Sequence, residues 1–147
     1  MINVDLFRWD EIEDNDLLFA VIVSRFHNKW ILAKHKDRET WEIPGGHREK
    51  GEEINITASR ELQEETGAKK FKLIPICIYS VTKEDGDSTK HPISTFGGLY
   101  FAEVAELGEL PNLEIEKIQF FDSLPSELTY PEIQPRLLDI VIKHINN

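Results

Sequence analysis

Cysteine is almost missing from this chain: there is one, Cys77, in 147 residues. A single thiol cannot close an intramolecular disulfide, which suits a reducing compartment. It sits in the apolar run of Ile74, Ile76 and Ile78 and reads as core rather than as a nucleophile. Basic residues are outnumbered, 17 Lys and Arg against 27 Asp and Glu, for a net charge of -10. Such a surface repels polyanions, so non-specific binding to duplex nucleic acid is disfavoured, and a phosphorylated ligand would need local basic groups or metal ions. No apolar run approaches the ~20 residues that span a bilayer. The opening MINVDLFRWDEIED has neither the basic segment nor the apolar stretch of a signal peptide. Repeats, linkers and low-complexity tracts are absent too. These absences predict a cytoplasmic protein with no membrane partner. What is present, 40% apolar and 30% charged residues, suffices for one core and a single domain over residues 1–147.

The run LLFAVIVS at residues 17–24 is continuously apolar and rich in β-branched side chains, as a strand buried on both faces requires. A turn at residues 26–29 and a second strand at 30–35 make it a hairpin. Residues 3–9 alternate weakly and suit an edge strand, to which a second copy could add in a homodimer. Trp41, Glu42 and Ile43 read as a short strand stopped by Pro44-Gly45-Gly46. Further strands are expected at 71–82, at 92–104, where Gly97-Gly98 suggests a bulge or a close approach, and at 115–121. Between them lie a polar loop at 83–91 and a turn region at 105–113. Residues 122–125 suggest a short helical turn. An amphipathic helix is expected over 131–145, with Ile133, Leu137, Leu138, Val141 and Ile145 at helical spacing. Together with a central helix ending at Thr66 and capped by Gly67, these elements describe an α/β chain: a mixed sheet between helices.

The central helix, from Glu52 or Glu53 to Thr66, carries the chemistry. Glu61, Glu64 and Glu65 share one helical face at i, i+3 and i, i+4 spacing, where like charges repel. They lie beside the apolar stripe of Ile54, Ala58 and Leu62, the wrong place for unpaired carboxylates on a plain surface helix. A divalent cation resolves that conflict. Hard oxygen ligands favour Mg2+, with Mn2+ as a substitute. Arg60 precedes Glu61 and lies i, i+4 from Glu64, so it can orient a carboxylate through a bidentate fork. Gly45 and Gly46 allow a sharp turn before the helix and can aim a carbonyl at a metal.

The spacing of Gly46, Glu52, Arg60-Glu61-Leu62, Glu64-Glu65, Gly67 and Ala68 resembles the Nudix box at every fixed position, with Ala68 where Ile, Leu or Val is usual. The flank Trp41-Glu42-Ile43-Pro44-Gly45-Gly46 is similar to the strand that leads into the box, and the element order fits the Nudix α/β/α sandwich with a central catalytic helix and a C-terminal helix. The resemblance implies Mg2+-dependent hydrolysis of a nucleoside diphosphate linked to another moiety. By position, Glu64 and Glu65 would be metal ligands, joined by the Gly45 carbonyl. Glu61 would be a ligand or the general base, oriented by Arg60, and Glu52 would assist from the loop. Some members recruit the base from a later loop, where Glu114 and Glu116 stand here. The basic residue that holds a phosphate in MutT-type members falls on His35, and Lys36 or Arg38 could take its place in a cluster with Lys34. His47 could also reach a phosphate. Phe96, Tyr100 and Tyr130 are candidates for base stacking. The flanking sequence looks like a bacterial MutT-type subgroup described as 8-oxo-dGTP diphosphatases and, in some cases, RNA 5′-pyrophosphohydrolases. The first expected substrate is therefore a nucleoside triphosphate, cut to monophosphate and pyrophosphate, and the second is an RNA 5′ end. A regulator that binds nucleotide without cutting is disfavoured, since such proteins typically lose catalytic glutamates and here all are present.

Overall fold

The computed structural model describes residues 2–83 and 93–146. Seven strands form one sheet: β1 (Ile2–Phe7), β2 (Leu17–Phe26), β3 (Lys29–His35), β4 (Gly45–His47), β5 (Ala68–Lys83), β6 (Ile93–Leu107) and β7 (Ile115–Phe121). Among the described residues two α-helices, α1 (Ile54–Thr66) and α2 (Gln134–Ile145), and one 3-10 turn at Asp14–Asp16 accompany it. The strand order is β1-β5-β6-β2-β3-β7, with β4 added alongside β2. The β2–β6 pairing is parallel and the other pairings are antiparallel, so the sheet is mixed.

The period of two in β6 explains the layers. Tyr100, Ala102 and Val104 join Ile54, Ala58 and Leu62 of α1 in one core. Leu99 and Phe101 point the other way, into a second core with Leu137, Leu138 and Val141 of α2. Strand β2 feeds both cores, Ala20 and Ile22 toward α1 and Val23 toward α2. That is why its sequence reads as an unbroken apolar run rather than an alternating one. The result is the expected α/β/α sandwich. Among the described residues, no helix is long and apolar enough to cross a membrane.

Several local expectations are corrected. Gly45 and Gly46 do not form a turn; they lie in β4, paired with Val21 and Ala20 of β2. The β2–β3 hairpin pairs only at its tip, through Arg25–Trp30 and Phe26–Lys29, so the first half of β2 has a free edge that β4 fills. Trp41 and Glu42 make only isolated bridges, to Leu128 and Ala33. Residues 122–125 are not helical. The chain just beyond them is committed to Trp41, whose N–H donates to the Glu127 carbonyl at 2.8 Å and whose carbonyl accepts from the Thr129 N–H at 3.0 Å. Strand β6 runs on to Leu107, through part of the expected turn region. Helix α2 starts at Gln134 and not at residue 131, because Pro135 has no N–H and is tolerated only in the first turn. Gly97 does serve a close approach: a Cβ there would collide with the Phe19 ring. Most of the polar loop expected at 83–91 lies outside the described residues.

Gly67 ends α1 in the left-handed region at φ 76°, its N–H donating to the Gln63 carbonyl at 2.9 Å. A Cβ there would stand 2.9 Å from the Glu109 carbonyl oxygen. Gly67→Ala is expected to lower stability by more than about 1 kcal/mol, read as a fall in melting temperature of about 3 °C or more.

Candidate active site

Helix α1 is anchored by Ile54, Ala58 and Leu62, all nearly inaccessible. The 3.6-residue repeat then sets Glu61 and Glu65 at the border between that stripe and solvent, and Glu64 farther out. Their side chains are 12%, 8% and 37% exposed, respectively.

Glu65 is bound from the β4 side. The Gly45 N–H donates to its Oε1 at 2.9 Å, and His35 Nε2 lies 3.6 Å from Oε2. Burial pushes its carboxyl up to about 8; the Gly45 N–H opposes this, and the neighbouring Glu61, Glu42 and Glu114 add to it. Glu61 is also raised, by burial first, with the Arg60 guanidinium pulling the other way and Glu64 and Glu114 adding to the rise. Its carboxylate rests against the backbone of Gly46, where a Cβ would fall on the carboxyl group itself. A side chain at position 46 would displace the Glu61 carboxylate from this place.

Arg60 is the hub. Its Nε and Nη2 fork onto Glu52 at 2.8 and 2.9 Å. Nη1 donates to Glu61 at 2.9 Å and to Glu64 at 3.3 Å, and Nη2 also reaches the His47 carbonyl at 3.0 Å. The bidentate partner is therefore Glu52, eight residues back in the chain, while Glu61 and Glu64 each take a single N–H. Helical spacing could not reveal this, because Glu52 lies outside the helix and returns to it through the loop. Thr57 Oγ1 donates to Glu52 at 2.6 Å, and Arg60 with Thr57 and the Glu49 N–H holds the Glu52 carboxyl down at about 2, against the effect of burial. Glu52 also keeps Arg60 firmly protonated, above its already high ordinary value.

The helix faces a cleft of about 790 Å3 whose lining includes Gly45, Gly46, Glu61, Glu65, His35, Arg38 and Glu114. A second cleft of about 390 Å3 adjoins it and shares Arg60, Glu61, Glu65 and Glu114. The basic residues separate here. His35 enters the carboxylate cluster. Arg38 lines the large cleft and donates to Glu42 and Tyr130. Lys36 turns away, its ammonium donating to Asn112 at 2.9 Å, and it lines neither cleft. Glu114 faces both clefts, whereas Glu116 is paired at 2.6 Å with Lys34. His47 lines the large cleft as well. Of the aromatic candidates, only Tyr130 does so. Tyr100 is fully buried and donates to Asn55 at 2.5 Å, and Phe96 packs on the α1 core beside Phe7. Tyr100 is thus closed to a ligand, and Phe96, half-buried, lines neither cleft.

One participant escaped the reading of the sequence. Glu42 is 8% exposed, yet its carboxylate lies between His35 Nε2, at 3.2 Å, and the Arg38 guanidinium. The signal was a charged residue between Trp41 and Ile43, both of which pack on the α2 core. Among the described residues, no three acidic, His or Cys side chains already converge as a metal cage. Arg60 Nη1 is shared by Glu61 and Glu64, and the Gly45 N–H is held by Glu65, so all three carboxylates are engaged by the chain itself.

The NUDIX domain model matches residues 15–134. A Bacillus subtilis protein named as an 8-oxo-dGTP diphosphatase, YtkD, is 32% identical over 109 residues, which is 74% of this chain and 64% of that protein. A Bacillus subtilis ADP-ribose pyrophosphatase is 35% identical over 109 residues, 71% of this chain and 59% of that one. The chain thus spans less than two thirds of the length of these relatives. The crystal structure of a Bacillus subtilis pyrophosphohydrolase has the same fold, with a TM-score of 0.75 and 25% identity over 95% of this chain and 90% of that one. Since the domain match covers most of the chain and the fold agrees over nearly all of it, this protein belongs to the Nudix family.

Proposed function

We propose that this chain hydrolyses a phosphoanhydride bond of a nucleoside triphosphate, oxidised forms such as 8-oxo-dGTP included, to the nucleoside monophosphate and pyrophosphate with Mg2+ or Mn2+. The observation that carries this is the pair Glu61 and Glu65: one half-buried and one buried carboxylate, both with raised proton affinity, on the lining of one cleft. Carboxyl groups held this way gain from a hard divalent cation what they lose by leaving water. The donor set therefore fits Mg2+, with Glu61, Glu64 and Glu65 and the Gly45 backbone as the residues to hold it. When bound, the ion supplies Lewis-acid polarisation of phosphate oxygens and of water.

The chain's own residues do the rest. Arg60 fixes Glu61 and Glu64 from behind, and Glu52 fixes Arg60, a positioning part rather than one that meets substrate. His35, beside Glu65, and Arg38 offer N–H donors to substrate phosphate within the same cleft, with Glu42 paired to both. Lys36 is not needed for that contact. A glutamate takes the proton of the attacking water. Glu61 or Glu114, both on the cleft lining, takes that part in this reading; Glu116 is tied to Lys34 and lines neither cleft.

A substrate panel tests the reading. The purified chain with Mg2+ is given normal and oxidised deoxynucleoside triphosphates, triphosphorylated RNA, ADP-ribose and a nucleoside diphosphate sugar. The expected result is release of monophosphate and pyrophosphate from a nucleoside triphosphate, abolished by EDTA. Faster turnover of the RNA would make its 5′ end the substrate. Binding without turnover across the panel would leave a nucleotide-binding regulator, and the hydrolase reading would fail.

A further inference from the structure

We infer that Glu42 is a positioning residue: it fixes the Arg38 guanidinium relative to the α1 carboxylates, so that substrate phosphate meets a donor already in place. The inference rests on the hydrolase reading only for the identity of the anion.

Glu42 is anchored before its side chain begins. Its backbone forms a reciprocal pair with Ala33 of β3, the N–H of each donating to the carbonyl of the other at 2.9 Å. Trp41 and Ile43 on either side pack on the α2 core. The carboxylate therefore leaves a fixed point, and the residue is buried. A carboxylate so far from water persists only with partners. Among the described residues its ion partners are His35, two residues beyond Ala33 on β3, and Arg38. Oε1 accepts from Arg38 Nη1, and Oε2 lies 3.2 Å from His35 Nε2. The same His35 nitrogen lies 3.6 Å from Oε2 of Glu65. Arg38, Glu42, His35 and Glu65 thus form one continuous line of side chains, and all four line the large cleft.

Arg38 needs such an anchor. It stands in the exposed run of residues 36–39, and its side chain is 44% exposed. A free arginine there samples many rotamers, and an anion that captured it would carry the cost of ordering it. Glu42 and Tyr130 hold it beforehand. A guanidinium has five N–H groups, so these contacts leave donors for phosphate oxygens.

Charge alone predicts the opposite outcome. Glu42 is an anion beside a site for an anion, so by Coulomb's law its removal should tighten phosphate binding. If Glu42 positions Arg38, its removal loosens binding. The sign separates the two.

The test is calorimetric binding of inorganic pyrophosphate with Mg2+ in wild type, Glu42→Gln, Arg38→Ala and the double variant. Glu42→Gln should raise Kd by roughly tenfold or more, as expected when a hydrogen bond to a charged group is lost. In the Arg38→Ala background it should add nothing, since Glu42 acts through Arg38. Glu42→Asp keeps the charge but is too short to reach both partners. It should weaken binding as well, and it serves if the glutamine variant does not fold. Where turnover is found, KM for the substrate should rise with Kd while kcat changes little. Unchanged or tighter binding in Glu42→Gln overturns the inference even if hydrolysis is found, as does a wild type that binds no pyrophosphate. A further loss of equal size in the Arg38→Ala background also overturns it, because Glu42 would then act on the fold at large. Weaker binding that depends on Arg38 supports it even if no substrate is cut.

Discussion

Glu65→Gln is expected to reduce kcat by on the order of 10²–10³-fold or more, the range seen when one charge-stabilising group is removed from a catalytic site. The fold should survive. Glutamine keeps the oxygen that accepts the Gly45 N–H, and it needs no proton to be neutral. The metal-free variant should even be the more stable form at neutral pH. In the folded chain the Glu65 carboxyl titrates at about 8, against 4.5 for the ordinary group. Between those values the folded state holds a proton that the unfolded state has released, so stability falls as pH rises, by at most about 1.4 kcal/mol per pH unit. Glu61 is raised as well and contributes with the same sign. Melting in EDTA between pH 5 and 8.5 should therefore show wild type losing stability with rising pH. Glu65→Gln should show a flatter profile. Mg2+ should restore most of the loss in wild type, because it favours the ionised carboxylates. A flat wild-type profile in EDTA would show that Glu65 is not held protonated, and full activity in the variant would remove it from the machinery.

The second large effect is expected at Arg60. Arg60→Gln withdraws the one cation that Glu52, Glu61 and Glu64 share. Removing one partner of a largely buried pair leaves a charge without compensation, and a loss of roughly 3 kcal/mol follows, read as a lower urea midpoint. Activity should fall at least a hundredfold, since Glu61 and Glu64 lose their orientation. Arg60→Lys should recover little, because an ammonium cannot fork onto Glu52 while also reaching Glu61. Acid tolerance gives a separate signature. With Glu52 held at about 2, its contribution is complete above pH 4.5 and is lost as pH falls toward 2. In Arg60→Gln the Glu52 carboxyl returns toward its ordinary value, and that acid-linked loss of stability should largely vanish. Wild-type stability in Arg60→Lys would mean that the fork to Glu52 contributes little.

Much of the site was legible from local pattern. The i, i+3 and i, i+4 spacing of Glu61, Glu64 and Glu65 beside Ile54, Ala58 and Leu62 implied carboxylates at the border of a core, and they are there. The stop at Gly67 was equally readable, since φ of 76° suits glycine. Regular elements announce themselves because their side-chain period is written along the chain. The reading failed where partners are distant. Gly45 and Gly46 read as a turn because nothing local shows that β2 parts from β3 after two residue pairs and leaves an edge to fill. Tyr100 reads as a ligand contact because an aromatic residue in a strand does not declare which core it enters, and it is fully buried.

By itself the sequence determined the α/β class, the helix that carries the three glutamates, the cap that ends it and the family to which the chain belongs. All of these follow from short-range periodicity and fixed spacing. Only the tertiary structure decided that Arg60 forks onto Glu52, that His35 stands between Glu42 and Glu65, and that Glu114 rather than Glu116 faces the cleft. The Arg60–Glu52 fork is a loop folding back on its helix, eight residues along; the others involve residues tens of positions apart, brought together because the order β5-β6-β2-β3-β7 sets the end of β3, the β4 strand and α1 around one opening. Which strand edges meet is settled by burying both faces of the sheet at once, a condition on the whole chain that no single segment records.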